Sequence, residues 1–143
     1  MHRGEEIAVR AADLRDVDWL TQNDGHLDAT TLAAKVENVE MLVAEVGGEK
    51  AGLLRFDRLW SQVPFVAQVR VAEGFRRTGV GRALMQALAD AERSRNTPFI
   101  LSSATGDETE PQAWHRAIGF EECGELSGIN ANGASEVVFR LSL

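Results

Sequence analysis

Apolar and polar positions change period several times along the chain, and each change marks an element. Ile7 to Arg10 alternates apolar and polar, which predicts a short first strand. Asp13 stands as an N-cap before Leu14, Val17, Trp19 and Leu20, so a helix should follow, with Thr21 to Asp28 a polar loop. Leu32, Val36 and Val39 are helically spaced and predict a second helix within 27–39. Met41 to Val46 is a strand, Gly47-Gly48 a tight turn, and Ala51 to Leu59 the returning strand. Ser61 to Pro64 interrupts the run. Phe65 to Val71 resumes it, with Phe65, Ala67, Val69 and Val71 on one face.

The strongest periodicity follows. Val80, Ala83, Leu84, Ala87, Leu88 and Ala91 form one apolar stripe, predicting a helix from about Gly79 to Arg93 that ends near Pro98. Phe99 to Leu101 is a short buried strand. Pro111 to Ile118 is a short helix with Gly119 as its left-handed stop. Glu121 to Leu126 and Glu136 to Leu141 close the chain as strands, joined through the turn-rich 128–133. The order β-α-α-β-β-β-α-β-α-β-β is that of a mixed-sheet α/β fold in a single domain over 1–143.

Composition narrows the function classes. With 143 residues the chain can bury a core without staples, and a single cysteine, Cys123, excludes an internal disulfide. Twenty-two acids against 15 bases give a net charge of −7, which argues against nucleic acid as partner. No apolar run reaches the ~20 residues of a membrane span, and MHRGEEIAVR lacks a leader's apolar core, so a cytoplasmic protein without a membrane partner is expected. His2 and His26 lack metal-ligand spacing, so no metal is expected.

Against that acidic background, Arg70, Arg76, Arg77 and Arg82 stand within thirteen positions. Three of them flank Gly79 and Gly81 where the strand after Phe65 turns into the strongest helix. Unpartnered amides and the positive dipole end occur there, and glycines admit a diphosphate that Cβ atoms would block. The alternative is a glycine-rich turn with solvated arginines. The dinucleotide fingerprint fails at Leu84, where a third glycine is needed, and no P-loop is present.

Arg76 to Gly81 matches the Q/R-x-x-G-x-G/A signature of the GNAT superfamily of acyl-CoA-dependent N-acetyltransferases, and Trp114 to Phe120 resembles its downstream FYEKLGF block. Glu73 stands where many members have proline. Element order agrees from Ile7 to Leu141. The resemblance implies a mixed, mostly antiparallel sheet with helices on both faces and a splayed strand pair, Phe65–Val71 and Phe99–Ser103, as the cofactor cleft. It implies acetyl-CoA as cosubstrate, held by the backbone around Val69 and Val71 and by Arg76, Arg77, Thr78, Gly79, Val80, Gly81 and Arg82. A backbone N–H near Val71 would polarise the acyl oxygen.

The implied reaction moves an acetyl group to a primary amine of a small-molecule or peptide acceptor by direct attack in a ternary complex. The amine must lose a proton, and the leaving thiolate gains one. The family's usual tyrosine acid is replaced by His115, and the chain has no Tyr. His115 is thus the candidate acid, the alternatives being a contact to the thiol sulfur or a surface histidine beside Trp114. Glu73 is the candidate base, or an ion-pair partner of Arg76 or Arg77. Phe65, Ala67 and Val69 offer no base, which leaves Asp24, His26, Glu37 and Asp57 open. Cys123 reads as a packed small residue, and Trp19 and Trp60 as core or interface. The apolar strands near the C-terminus suit a homodimer. A catalytically inactive acyl-CoA-binding module, acting as sensor or subunit, is the rival reading.

Overall fold

The computed structural model describes residues 6–143; His2 and the start of the leader reading lie outside them. Seven strands form one sheet: β1 (Ile7–Ala11), β2 (Met41–Val46), β3 (Glu49–Leu59), β4 (Val63–Val71), β5 (Phe99–Thr105), β6 (Glu121–Leu126) and β7 (Glu136–Ser142). Their order is β1-β2-β3-β4-β5-β7-β6. Only β4 and β5 run parallel among the pairings described, and their register pairs are just Phe65 with Leu101 and Val66 with Ser102. Four α-helices accompany the sheet: α1 (Val17–Asp24), α2 (Ala29–Glu37), α3 (Val80–Ser94) and α4 (Thr109–Ala117). The expected mixed, mostly antiparallel α/β architecture is therefore present. The chain falls into two compact units, one comprising Met1–Asp57 with Gln68–Ala91, the other Arg58–Ala67 with Glu92–Leu143.

In the first unit, successive residues of β3 serve opposite faces, as the pleat requires. Leu53 joins Leu20 of α1 and Leu32 and Val36 of α2 in one apolar cluster with Met41 and Val43. Gly52, on the other face, lies under Val80 and Leu84 of α3. A Cβ there would sit 2.8 Å from Val80 Cγ1 and 2.9 Å from the Arg70 carbonyl oxygen, so the absent side chain is what admits α3.

Helix starts and stops explain two departures from the sequence reading. Asp13 does cap, but it caps a 3-10 turn over Leu14–Asp16 whose capping box is completed by Asp16. The helix proper then runs through Thr21 to Asp24, assigned above to a loop. Thr21 Oγ1 donates to Val17 O at 2.8 Å and Asn23 to Trp19 O at 2.8 Å, so these polar residues bond back onto the preceding turn. Gly25, at φ +79°, stops α1, and Asp28 caps α2 through the Thr31 amide.

The second unit holds β5, β7 and β6 with α4. Ile100, Ser102 and Ala104 are buried on one face of β5, so this strand continues past Leu101 to Thr105. The break expected over 61–64 shrinks to a tight turn at Trp60 and Ser61, both at positive φ, with Gln62 N donating to Leu59 O. Trp60 is therefore 78% exposed at a hairpin tip, not core. Cys123 also departs from expectation. It is exposed, as is every residue of β6, because β6 is the sheet's outer strand and carries three glutamates.

Candidate active site

The end of β4 is tied to its neighbour by Ala72 N donating to Ala51 O at 2.8 Å. Glu73–Phe75 then makes a single 3-10 turn, anchored by the buried Phe75 ring. The Thr78 hydroxyl donates to Phe75 O and closes the turn. Arg77 at φ +65° and Gly79 at φ +90° swing the chain into α3, whose first bond runs from Ala83 N to Gly79 O at 2.9 Å. Among the described residues, none accepts a hydrogen bond from the amides of Arg77 through Arg82. Val80 buries its side chain over Gly52 and leaves its N–H to this set. Consecutive unpartnered amides at the N-terminus of a 15-residue helix form a cradle for an anion.

The pairing of cations sharpens this picture. Arg10, Arg15, Lys35, Lys50, Arg55, Arg58, Arg95 and Arg116 each face a carboxylate, and Arg140 lies over the Phe99 ring. The side chains of Arg70, Arg77 and Arg82 make no hydrogen bond or ion pair among the described residues, and the Arg76 guanidinium reaches only the Val71 carbonyl, at 3.4 Å. So the arginines clustered in sequence have no carboxylate partner among the described residues, in a chain with seven more acids than bases. Glu73 is exposed on the 3-10 turn and forms no ion pair with Arg76 or Arg77. Val69 and Val71 are half-buried, and Ala67 is exposed, so their face of β4 is not a closed core face.

His115 lies in the second unit and is 6% exposed, which removes the surface alternative. Its ring stacks on Phe139 at 4.9 Å and meets Trp114 and Phe120 edge-on. Nδ1 is 2.7 Å from Pro111 O, and Nε2 is 2.7 Å from Ser102 Oγ. A carbonyl only accepts, so Nδ1 carries the proton, and Nε2 of the neutral ring accepts from the Ser102 hydroxyl. Burial pushes the imidazole below its usual value; the bond to Pro111 opposes this without cancelling it. Ser102 lies one residue beyond the short strand, Phe99 to Leu101, read from the sequence. The period-2 run through Ile100, Ser102 and Ala104 is the signal that places it inward.

The remaining candidates separate. Asp24 is 0% exposed and takes the Arg55 guanidinium, with Nε 2.8 Å from Oδ2. Asp57 pairs with Lys35, Glu37 is exposed on α2, and His26 is exposed in the α1–α2 turn. Glu136 on β7 was not singled out. It receives Ser103 Oγ at 2.7 Å and Asn130 Nδ2 at 3.0 Å, which orders the 128–135 turn. Among the described residues no group of three or more His, Cys, Asp or Glu is placed to hold a metal ion, and no helix is long and apolar enough to cross a membrane.

Comparison with known proteins agrees with this geometry. Residues 8–120 match the acetyltransferase (GNAT) family. The chain belongs to that family. Streptothricin acetyltransferase from Streptomyces lavendulae is 32% identical over 77 residues, which are 54% of this chain and 41% of that protein. The match thus spans about two fifths of that relative's length. Among solved structures, Ard1 from Thermoplasma volcanium superposes with a TM-score of 0.84 at 17% identity, covering 96% of this chain and 97% of that one. The structure of yncA from Salmonella typhimurium with its cofactor acetyl-CoA has a TM-score of 0.82 at 18% identity, with 96% and 94% coverage. At these identities the structural matches speak for the fold.

Proposed function

We propose that the protein is an N-acetyltransferase that carries an acetyl group from acetyl-CoA to a primary amine by direct attack in a ternary complex. One observation carries the reading: the unpartnered amides from Arg77 to Arg82, flanked by Arg76, Arg77 and Arg82 without carboxylate partners. A diphosphate supplies the acceptors that these donors lack. The two-pair ladder between β4 and β5 supports a pantetheine arm bonded to the backbone around Val69 and Val71. The Val71 N–H is then the group that polarises the acyl oxygen.

Proton traffic follows from the side chains present. Glu73, exposed and without an ion pair, takes the ammonium proton directly or through water. His115 in its neutral form has no N–H to give, because Nδ1–H is held by Pro111. A donor role for His115 therefore requires the protonated ring, whose Nε2–H would donate to Ser102 Oγ.

The rival reading, an acyl-CoA-binding module without turnover, draws support from the same pair, since a buried imidazole with both nitrogens engaged is also a packing element. Calorimetric titration of acetyl-CoA into the wild type and Arg76→Ala tests the cofactor site. No saturable binding to folded protein would overturn the proposal. Thiol release across an amine panel then separates enzyme from module.

A further inference from the structure

Of the four clustered arginines, Arg70 is not part of the amide cradle. It stands on β4, one residue before Val71, and its guanidinium lies against the α1–α2 turn: a Cβ built on Gly25 would be 3.7 Å from Nη1. Gly25 has φ +79°, so a side chain there is strained as well as close, and the glycine leaves that flank of the guanidinium uncovered.

The turn beside Arg70 is held in place with unusual care. Asp24, wholly buried, receives Arg55 Nε at 2.8 Å and the His26 amide at 3.1 Å, and its carbonyl accepts from Gln68 Nε2 at 2.8 Å. Gln68 is two residues before Arg70, on the same face of β4. A buried ion pair is weak evidence for stability, since a well-packed apolar pair serves as well. Here the pair fixes where the turn meets β4. The result is an exposed guanidinium on β4, without a counter-ion among the described residues, beside a pinned turn.

The geometry points to an anion subsite, formed by Arg70 beside the pinned Asp24–Asp28 turn, that takes the carboxylate of an acceptor amine. Arginine is the residue suited to a planar carboxylate, which it engages through two parallel N–H donors. An acceptor that carries a carboxylate beside its ammonium group has no net charge through which a protein of net charge −7 could attract it, so a local cation without a carboxylate partner among the described residues is suited to supply its recognition. The inference rests on the N-acetyltransferase reading for its chemistry, because Val71, assigned there to the acyl oxygen, is the next residue.

The test uses three reaction-product probes in calorimetric titrations of the full-length protein, with and without CoA. N-acetylmethionine carries an α-carboxylate, N-acetylglutamic acid α-amide a side-chain carboxylate, and N-acetylmethioninamide neither. At least one acid should bind about tenfold more tightly than the neutral amide, and which acid does so identifies the carboxylate. Arg70→Ala should erase the preference while leaving acetyl-CoA affinity unchanged, and Arg70→Lys should restore part of it. Equal binding of acids and amide, a preference that survives Arg70→Ala, or an acetyl-CoA affinity that falls with it would each overturn the subsite. Failure of the wild type to bind acetyl-CoA would instead strike the acetyltransferase reading. The acid preference in CoA-free protein would still decide the subsite.

Discussion

Val80 closes directly over Gly52: a Cβ on the glycine would lie 2.8 Å from the valine's Cγ1, a separation no real side chain tolerates. Through this contact a strand residue determines how near the first turn of α3 comes to the sheet. The amide cradle is consequently set from β3 as well as from its own sequence.

Gly52→Ala should therefore do two things. Overpacking should destabilise the fold by about 1–3 kcal/mol. Because the residues that must yield are Val80 and the Arg70 carbonyl, acetyl-CoA affinity should fall as well. Urea denaturation and calorimetry measure the two effects; unchanged values in both would mean that α3 is not seated by this contact.

The unpaired arginines should behave differently from the paired ones. Arg77→Ala and Arg82→Ala should each weaken acetyl-CoA binding by roughly tenfold to a hundredfold, the range for a charge-assisted hydrogen bond. The loss should shrink at high salt. Arg116→Ala, which removes a partner of Glu122, should leave the affinity within error. A Kd series at two ionic strengths settles the comparison.

His115 gives a pH signature independent of catalysis. Burial lowers its value in the fold below the ordinary ~6.5, so the unfolded chain binds the extra proton first. The stability it contributes is whole above about pH 6.5 and is lost as pH falls from there toward the folded value. The loss can approach about 1.4 kcal/mol per pH unit. His115→Gln should flatten this part of the profile, as read from urea midpoints between pH 5 and 8. Parallel profiles would show that the ring titrates alike in both states.

The same logic at lower pH concerns Asp16. The Arg10 guanidinium holds its carboxyl well below the usual carboxylate range, against the effect of burial. That stabilisation is present above about pH 4 and disappears as pH falls through the depressed folded value. Asp16→Asn should thus cost most stability at neutral pH, with the gap between wild type and variant narrowing, without closing, as pH falls from about 4 to 2.5. Thermal midpoints at pH 7 and pH 2.5 check it.

Much of this was legible in the chain, for physical reasons. The α3 helix and the glycine pair at its start are local patterns, and both stand where the sequence put them, but the buried face runs through Val80, Leu84, Met85, Leu88, Ala89 and Glu92, and Ala91 of the expected stripe is exposed. The lack of partners for Arg70, Arg77 and Arg82 was not readable, since pairing depends on which carboxylates the fold brings near. His115 shows the same limit. Its place in the helix was evident, but burial beneath Phe139 and the bond to Ser102 come from β5 and β7. Thr21 to Asp24 misled because polar residues mark a loop unless their side chains bond back into a helix, as two of them do. Cys123 misled because a small thiol suggests a packed site, whereas every residue of β6 is exposed.

That exposed cysteine has a practical corollary. The protein carries one thiol and presents it to solvent, so a disulfide dye used to follow CoA release will also find Cys123. The enzyme stock should contribute a single equivalent of colour, fixed by its own concentration, before any turnover begins. Subtracting that step calibrates the assay and counts the folded and unfolded molecules alike.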